Sequence, residues 1–275
     1  MTTRTVAAEA EAQSKRPWFR ALSRAGMAAR GAVFLIIGVL AIAVATDSGG
    51  ATTDQEGALA VLARQRFGEA LLLVLAIGLA CYALWRIAQG VIDTDDKGDD
   101  ASGFAVRATK IGSGISYAIL CAAAIGILTG SSNGGASSGG SGDTKSTTAG
   151  VLGWPGGRYL VLAAAAAILG VAVWNVYRGL SEKFMKRLHP PAGMRRAVET
   201  IGRAGMCARG VIFGLIAVFL AKAAWEYDPA EAIGLDGALA RLAGQPYGPV
   251  LLGLVAAGLV AFALYCFAEA RYREV

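Results

Sequence analysis

The sequence predicts an all-α integral membrane protein, with six transmembrane helices set as three parallel two-helix repeats around a pseudo-threefold axis. Three observations lead there. Hydrophobic residues make up 55% of the chain and charged residues 17%, with a mean hydropathy of +0.51, too apolar for an ordinary soluble domain. Near-continuous apolar windows recur at about 31–46, 70–91, 111–129, 159–177, 210–225 and 249–268, most of them close to the roughly 18–20 residues that cross a hydrocarbon core as helix. The stretch SRAGMAARGAVF at 23–34 returns as GRAGMCARGVIF at 202–213, so the chain carries an internal repeat.

Span one follows a basic stretch and ends in Ala43-Val44-Ala45, features it shares with a cleaved signal peptide. The same motif opens an internal segment at Arg203, so the first helix reads as retained. Ahead of span two stands GALAVLARQRFG at 57–68, which returns ahead of span six as GALARLAGQPYG at 237–248. The repeated unit is therefore two helices with an outer connector. The connectors of copies one and three read as short helices at the outer membrane surface. Asp54 and Glu56, or Glu231 and Asp236, stand at their N-terminal ends, and Leu59 with Leu62, or Leu239 with Leu242, gives an apolar i, i+3 face.

The middle copy is fainter. Arg107 aligns with Arg24 and Arg203, Gly114 with Gly31 and Gly210, and Tyr117 with Phe34 and Phe213. Tyr82-Ala83-Leu84-Trp85-Arg86 matches Trp174-Asn175-Val176-Tyr177-Arg178 and Phe262-Ala263-Leu264-Tyr265. Ser113 stands where the other copies have Arg30 and Arg209, and the connector SSNGGASSGGSGDTKSTTAG reads as Gly/Ser coil. The expected organisation is an N-terminal tail over 1–19, then hairpin repeats over 20–96, 97–186 and 187–275.

An even number of spans per repeat gives all copies one orientation, as in parallel repeats. Small residues recur along the first helix of each copy: Gly31 and Gly38; Gly114, Ala118 and Cys121; Gly210, Gly214 and Ala217. They read as seams where helix backbones approach closely. Twenty Lys and Arg residues fall in the tails and the segments between hairpins, against six in the connectors within hairpins. By the positive-inside rule both termini face the cytoplasm, and the expected location is a bacterial inner membrane.

With R-A-G-x-x-A-R-G opening copies one and three, and G-A-L-x-x-L-A-x-Q-x-[FY]-G before their second helices, the sequence resembles the actinobacterial-type membrane proteins called domain of unknown function 1206. The resemblance runs from Arg20 to Arg271 and implies a six-helix fold, with no catalytic residues to carry over.

Chemistry is sparse. Cys81, Cys121, Cys207 and Cys266 stand singly, with no CxxC or Cys/His spacing for zinc, and read as small packing residues. The run Asp93 to Asp100 starts like a calcium loop, but Lys97 takes a ligand position and Phe104 replaces the closing Glu, so it reads as a solvated acidic loop. The lone His189, before Pro190-Pro191, reads as a surface residue, and the Gly-rich stretches lack the G-K-[ST] of a phosphate loop. No metal or cofactor is expected, and no nucleic-acid partner, since the basic residues are spread over membrane-edge segments without a binding motif.

What remains is a set of arginines. Arg24, Arg30, Arg86, Arg178, Arg203 and Arg209 form an expected cytoplasmic-side layer whose partners are anionic lipids or another protein, with Asp93, Glu182 and Glu269 as acidic neighbours. No span carries Asp, Glu, Lys or Arg near its centre, and no proline breaks a helix, which argues against a coupled transporter. The expectation is a non-enzymatic structural or accessory protein. The alternative is a passive channel or small-solute permease along the repeat axis, with Ser113, Ser116 and Tyr117 as lining.

Overall fold

Each apolar window lies within one continuous helix in a computed structural model of the protein, which describes residues 17–47, 52–91, 101–130, 141–181, 184–185 and 188–273. The long helices are α1 (Pro17–Ala45), α3 (Gly68–Val91), α4 (Ala101–Leu128), α6 (Gly157–Leu180), α7 (Arg195–Glu226) and α9 (Gly248–Tyr272). Three short ones, α2 (Gln55–Ala63), α5 (Ser141–Leu152) and α8 (Leu235–Ala243), join the members of each pair. The six long helices are apolar and long enough to cross a membrane, so the chain is a multipass membrane protein. Their interiors are free of proline because a ring there would remove a ladder hydrogen bond; Pro249 sits one residue into α9, where its missing N–H costs nothing.

The chain divides into two compact units. The first comprises Met1–Arg30, Leu62–Ala136 and Cys266–Val275. Helix α3 is its centre, burying Leu72, Leu75, Leu79, Tyr82 and Trp85. On one side Gly26 of α1 lies against the backbone of Tyr82, where an added Cβ would come within 2.6 Å of the Tyr82 Cα. On the other side Gly114 of α4 lies against Ile87 and the Ala83 carbonyl, and the Cys121 thiol donates to the Ala76 carbonyl at 3.3 Å. With lipid as solvent, such close backbone approach supplies the van der Waals contact that drives helix association.

The second unit comprises Gly31–Val61 and Ser137–Tyr265. It repeats the same contacts in the same register. Gly205 of α7 lies against the Phe262 backbone as Gly26 lies against Tyr82, and Gly210 meets Val176 and the Ala172 carbonyl as Gly114 meets Ile87 and Ala83. Gly38 of α1 packs on Val260 and the Ala256 carbonyl of α9. Two members of the expected seams are not on them: Gly214 has nothing within 4 Å of where its Cβ would stand, and Ala118 is exposed. At 3.6 residues per turn a step of four rotates a position by about 40°, whereas a step of seven drifts only about 20°. That is why Gly38 and Cys121 stay in contact while Gly214 and Ala118 turn away.

The connectors correct the sequence reading in three ways. Asp54 caps α2 as expected, accepting from the Gly57 N–H at 2.8 Å, and burial raises its carboxyl above the ordinary aspartate range. Leu59 of α2 and Leu239 of α8 are fully buried while Leu62 and Leu242 are half-buried, so the apolar i, i+3 faces pack largely on the protein itself. Glu231 does not start α8. It lies in the 3-10 turn Pro229–Glu231, where it pairs with Lys222 at 3.2 Å and Arg241 at 3.3 Å, and leaves Asp236 as the acid in the first turn of α8.

The third correction is the middle connector. Over Ser141–Leu152 the expected coil is the helix α5; residues 131–140 lie outside the described residues. Tertiary packing overrides poor propensity here: Leu152 joins Val161, Ala165, Leu220, Ala223, Ala224 and Ala232 in one core, and Thr148 is buried. All three connectors close with one turn. The N–H groups of Gln65, Trp154 and Gln245 reach the carbonyls of Leu62, Val151 and Leu242 at 3.1, 3.0 and 3.3 Å, and those of Gly68, Gly157 and Gly248 reach Gln65, Trp154 and Gln245 at 2.8, 2.9 and 2.7 Å. A Cβ on any of these glycines would overlap a preceding carbonyl, so the middle connector keeps the glycine although it has lost the rest of the motif.

The seams predict a contrast within one helix. Gly205→Val, whose Cβ must enter the Phe262 backbone, should lower stability by about 1–3 kcal/mol or more. Gly214→Ala should leave the melting temperature in detergent unchanged or raise it. Equal losses in thermal melts of the two variants would show that Gly205 is not a seam.

Candidate functional site

Four residues are just over one helical turn, so Gly26, Arg30 and Phe34, and likewise Gly205, Arg209 and Phe213, fall on one face of α1 and α7. The glycine seats an aromatic residue of the hairpin's second helix, and the arginine comes to lie over that residue's ring. In the second unit the Arg209 guanidinium carbon stands 4.9 Å from the Phe213 ring centre, 5.0 Å from Phe262 and 5.5 Å from Phe34. Phe34 and Phe262 meet edge to face with centres 5.0 Å apart. In the first unit Arg30 stands 5.7 Å from the Tyr82 ring, donates from Nη1 to the Tyr82 hydroxyl at 2.9 Å, and Tyr82 meets Tyr117 edge to face at 4.5 Å. The two aromatic pairs occupy the same two register positions.

An aromatic face is negative and has almost no hydration to lose, so it can neighbour a guanidinium where water is scarce; each such contact is worth about 0.5–2 kcal/mol. Where the middle copy has Ser113, partly buried, the corresponding Trp174 receives no cation from a described residue. It leans on Tyr177 at 5.7 Å and is 58% exposed.

The first unit extends the stack. Arg86 stands 5.8 Å from the Tyr82 ring and 6.0 Å from Trp85, and Arg273 lies 5.3 Å over Trp85 while pairing with the buried Glu269, whose charge also acts on Arg30. Three guanidiniums thus alternate with two rings. Arg107, at the start of the second repeat, donates to the carbonyls of Gly90 and Val91 at 3.0 and 3.3 Å and caps the C-terminal end of α3.

The remaining expected residues are not gathered. Arg24 is exposed, Arg178 is partly buried in the last turn of α6, and Arg203 pairs with Glu199 at 3.3 Å one turn earlier. Of the proposed lining residues, Ser116 is exposed and donates to the Gly112 carbonyl of its own helix, while Tyr117 is buried on Tyr82. Of the acidic neighbours only Glu269 can be placed; Asp93, Glu182 and the acidic run from Asp93 to Asp100 lie outside the described residues. His189 is exposed, and among the described residues no three His, Cys, Asp or Glu side chains converge as metal ligands would.

A profile of the family described as Domain of Unknown Function (DUF1206) matches residues 25–93, 109–182 and 204–273. The chain belongs to the DUF1206 family. Each matched stretch takes in one pair of long helices, so the family unit is the hairpin and the chain holds three. A curated relative from Bacillus subtilis (strain 168), "Uncharacterized protein YxxB", is 32% identical over 266 residues, covering 96% of this chain and 94% of that protein. No solved structure matches.

Within this DUF1206 chain the arginines at 30 and 209 were legible from the repeat, and their ring partners were not read from it. The signal was present, because an aromatic residue stands four positions after each arginine and another opens the YALWR-like match. Arg273 gave no signal, since nothing in the repeat aligns with it. At the opposite end of α6, Arg158 lies 4.9 Å from the Trp225 ring and 5.8 Å from Tyr227, another arginine on aromatic faces that spacing alone did not reveal.

Removing the one hydroxyl in this stack isolates the hydrogen bond from the ring. Tyr82→Phe should destabilise the protein by about 1.5–3 kcal/mol, the usual range for a hydrogen bond to a charged group, while Phe262→Tyr should cost less. Denaturation of both variants in one detergent checks this, and an unchanged Tyr82→Phe midpoint would mean that Arg30 does not use the hydroxyl.

Proposed function

We propose that the protein is a non-enzymatic structural or accessory component of a bacterial inner membrane, with both termini cytoplasmic and a cytoplasmic-side arginine layer that contacts anionic lipid or a partner protein. The arginines divide by what holds them. Arg30 and Arg209 lie over aromatic rings inside the units and serve the fold. Arg24, Arg86 and Arg178 have no carboxylate partner among the described residues, and this is the observation that carries the reading. Unpaired guanidiniums near helix ends suit phosphate oxygens, which they bind in a two-pronged fork.

The charge distribution supports the orientation, with twenty basic residues on one side and six on the other. Arg30 and Arg209 stand about midway along α1 and α7, so the arginines left for an outside partner are those toward the helix ends. The channel alternative gains no support from Ser116 and Tyr117, whose polar and aromatic groups are engaged locally.

Native mass spectrometry of the protein released from membranes containing phosphatidylglycerol tests the lipid version. Replacing Arg24, Arg86 and Arg178 together by Gln should strip most retained anionic lipid, whereas Arg30→Ala with Arg209→Ala should act first on stability. Wild-type retention by the triple variant would overturn it.

A further inference from the structure

Two polar donors beside the stack in the first unit are buried without an acceptor. Arg273 pairs with the buried Glu269, while Arg86 stands over the Tyr82 and Trp85 rings. Arg86 makes no hydrogen bond or ion pair with any described residue, and its Nε is buried without an acceptor. The adjacent Trp85 is 1% exposed, and its indole Nε1–H is also buried without an acceptor. Two neighbouring donors on one helix, both out of water and both lacking an acceptor, are costly unless something supplies oxygen.

We propose that Arg86 and Trp85 form the core of a site for a phosphate-class anion, either the phosphodiester of an anionic lipid or free phosphate. This rests on the arginine-layer reading above and narrows it to one place. A guanidinium matches phosphate oxygens in a fork, the indole N–H adds a single directed donor, and Arg273 over the other ring raises the local potential. Arg86 lies five residues before the end of α3 at Val91, about 8 Å along the axis, a depth that headgroup phosphates reach. The carbonyl end of α3 would repel an anion, but Arg107 covers the carbonyls of Gly90 and Val91.

The repeats show that the site is particular to the first hairpin. At the positions of Trp85 and Arg86 the third hairpin has Tyr265 and Cys266, which supply no guanidinium. The second has Tyr177 and Arg178, but Tyr177 is 45% exposed and offers no buried indole donor. Only the first hairpin combines a guanidinium, a buried indole donor and a further arginine stacked on the indole.

The test uses the full-length protein in detergent, with phosphatidylglycerol or phosphatidylcholine followed by native mass spectrometry and inorganic phosphate followed by calorimetry. Arg86→Gln should weaken phosphatidylglycerol binding about tenfold or more, as loss of a charged hydrogen bond implies, and Trp85→Phe should weaken it severalfold. Arg86→Lys, which keeps the charge and loses the fork, should fall between wild type and Arg86→Gln, and melting curves identify any variant that has lost its fold. Inorganic phosphate binding that competes with the lipid assigns the site to the shared anion; lipid binding alone assigns it to the headgroup. If phosphatidylglycerol preference survives in Arg86→Gln and is lost in Arg24→Gln with Arg178→Gln, this site is wrong and the broader reading stands. If wild type prefers neither anionic lipid nor phosphate, both fall.

Discussion

A guanidinium inside a bundle of apolar helices has to find negative charge without water, and that constraint organises this protein. A carboxylate is one answer, supplied by Glu269 to Arg273 and by Glu199 to Arg203. Elsewhere the answer is the face of an aromatic ring. Arg209 is surrounded by three phenylalanines and Arg30 lies on a tyrosine that also offers a hydroxyl. Arginine suits this role because its charge is delocalised, weakly hydrated and flat, so it stacks where an ammonium would hold its water.

The ring can only be where the arginine needs it if two helix backbones nearly touch. Gly26 and Gly205 make that possible, since each faces the backbone of the residue that carries the ring, Tyr82 or Phe262. The repeated R-A-G-x-x-A-R-G is thus one device: the glycine admits the second helix, and four residues later the arginine reaches the ring that helix brings. In the middle copy the arginine is Ser113, and the aromatic residue at the matching place, Trp174, turns outward. Glycine seam and cation–aromatic contact depend on each other, and a larger residue at Gly26 or Gly205 would displace both.

Hydropathy and self-similarity were enough to read the six helices, their pairing into hairpins and the family, because a membrane demands long uncharged runs and a repeat advertises itself. The connectors were harder. The α5 sequence is rich in Gly, Ser and Thr and looks like coil, and only burial of Leu152 and Thr148 makes it helical, which is a tertiary effect invisible in local composition. Glu231 stands close to a helix start in the sequence, but its ion pairs with Lys222 and Arg241 set its place. As for the candidate site, sequence pointed to the arginines but treated them as one layer. The carboxylate pairs Glu199–Arg203 and Glu269–Arg273 are four residues apart in sequence. The Tyr82 and Phe262 rings, by contrast, lie about 50 residues from Arg30 and Arg209, and spacing within one helix does not report those.

The central claim is that the buried arginines are held by aromatic faces rather than merely packed beside them. Stepwise fluorination of Phe262 tests it most directly, because fluorine drains the ring's negative face while hardly changing its size. The account predicts that each added fluorine lowers the melting temperature of the wild-type protein, and that the decline disappears in Arg209→Met. A melting temperature indifferent to fluorination, or one that falls equally without the arginine, would contradict it.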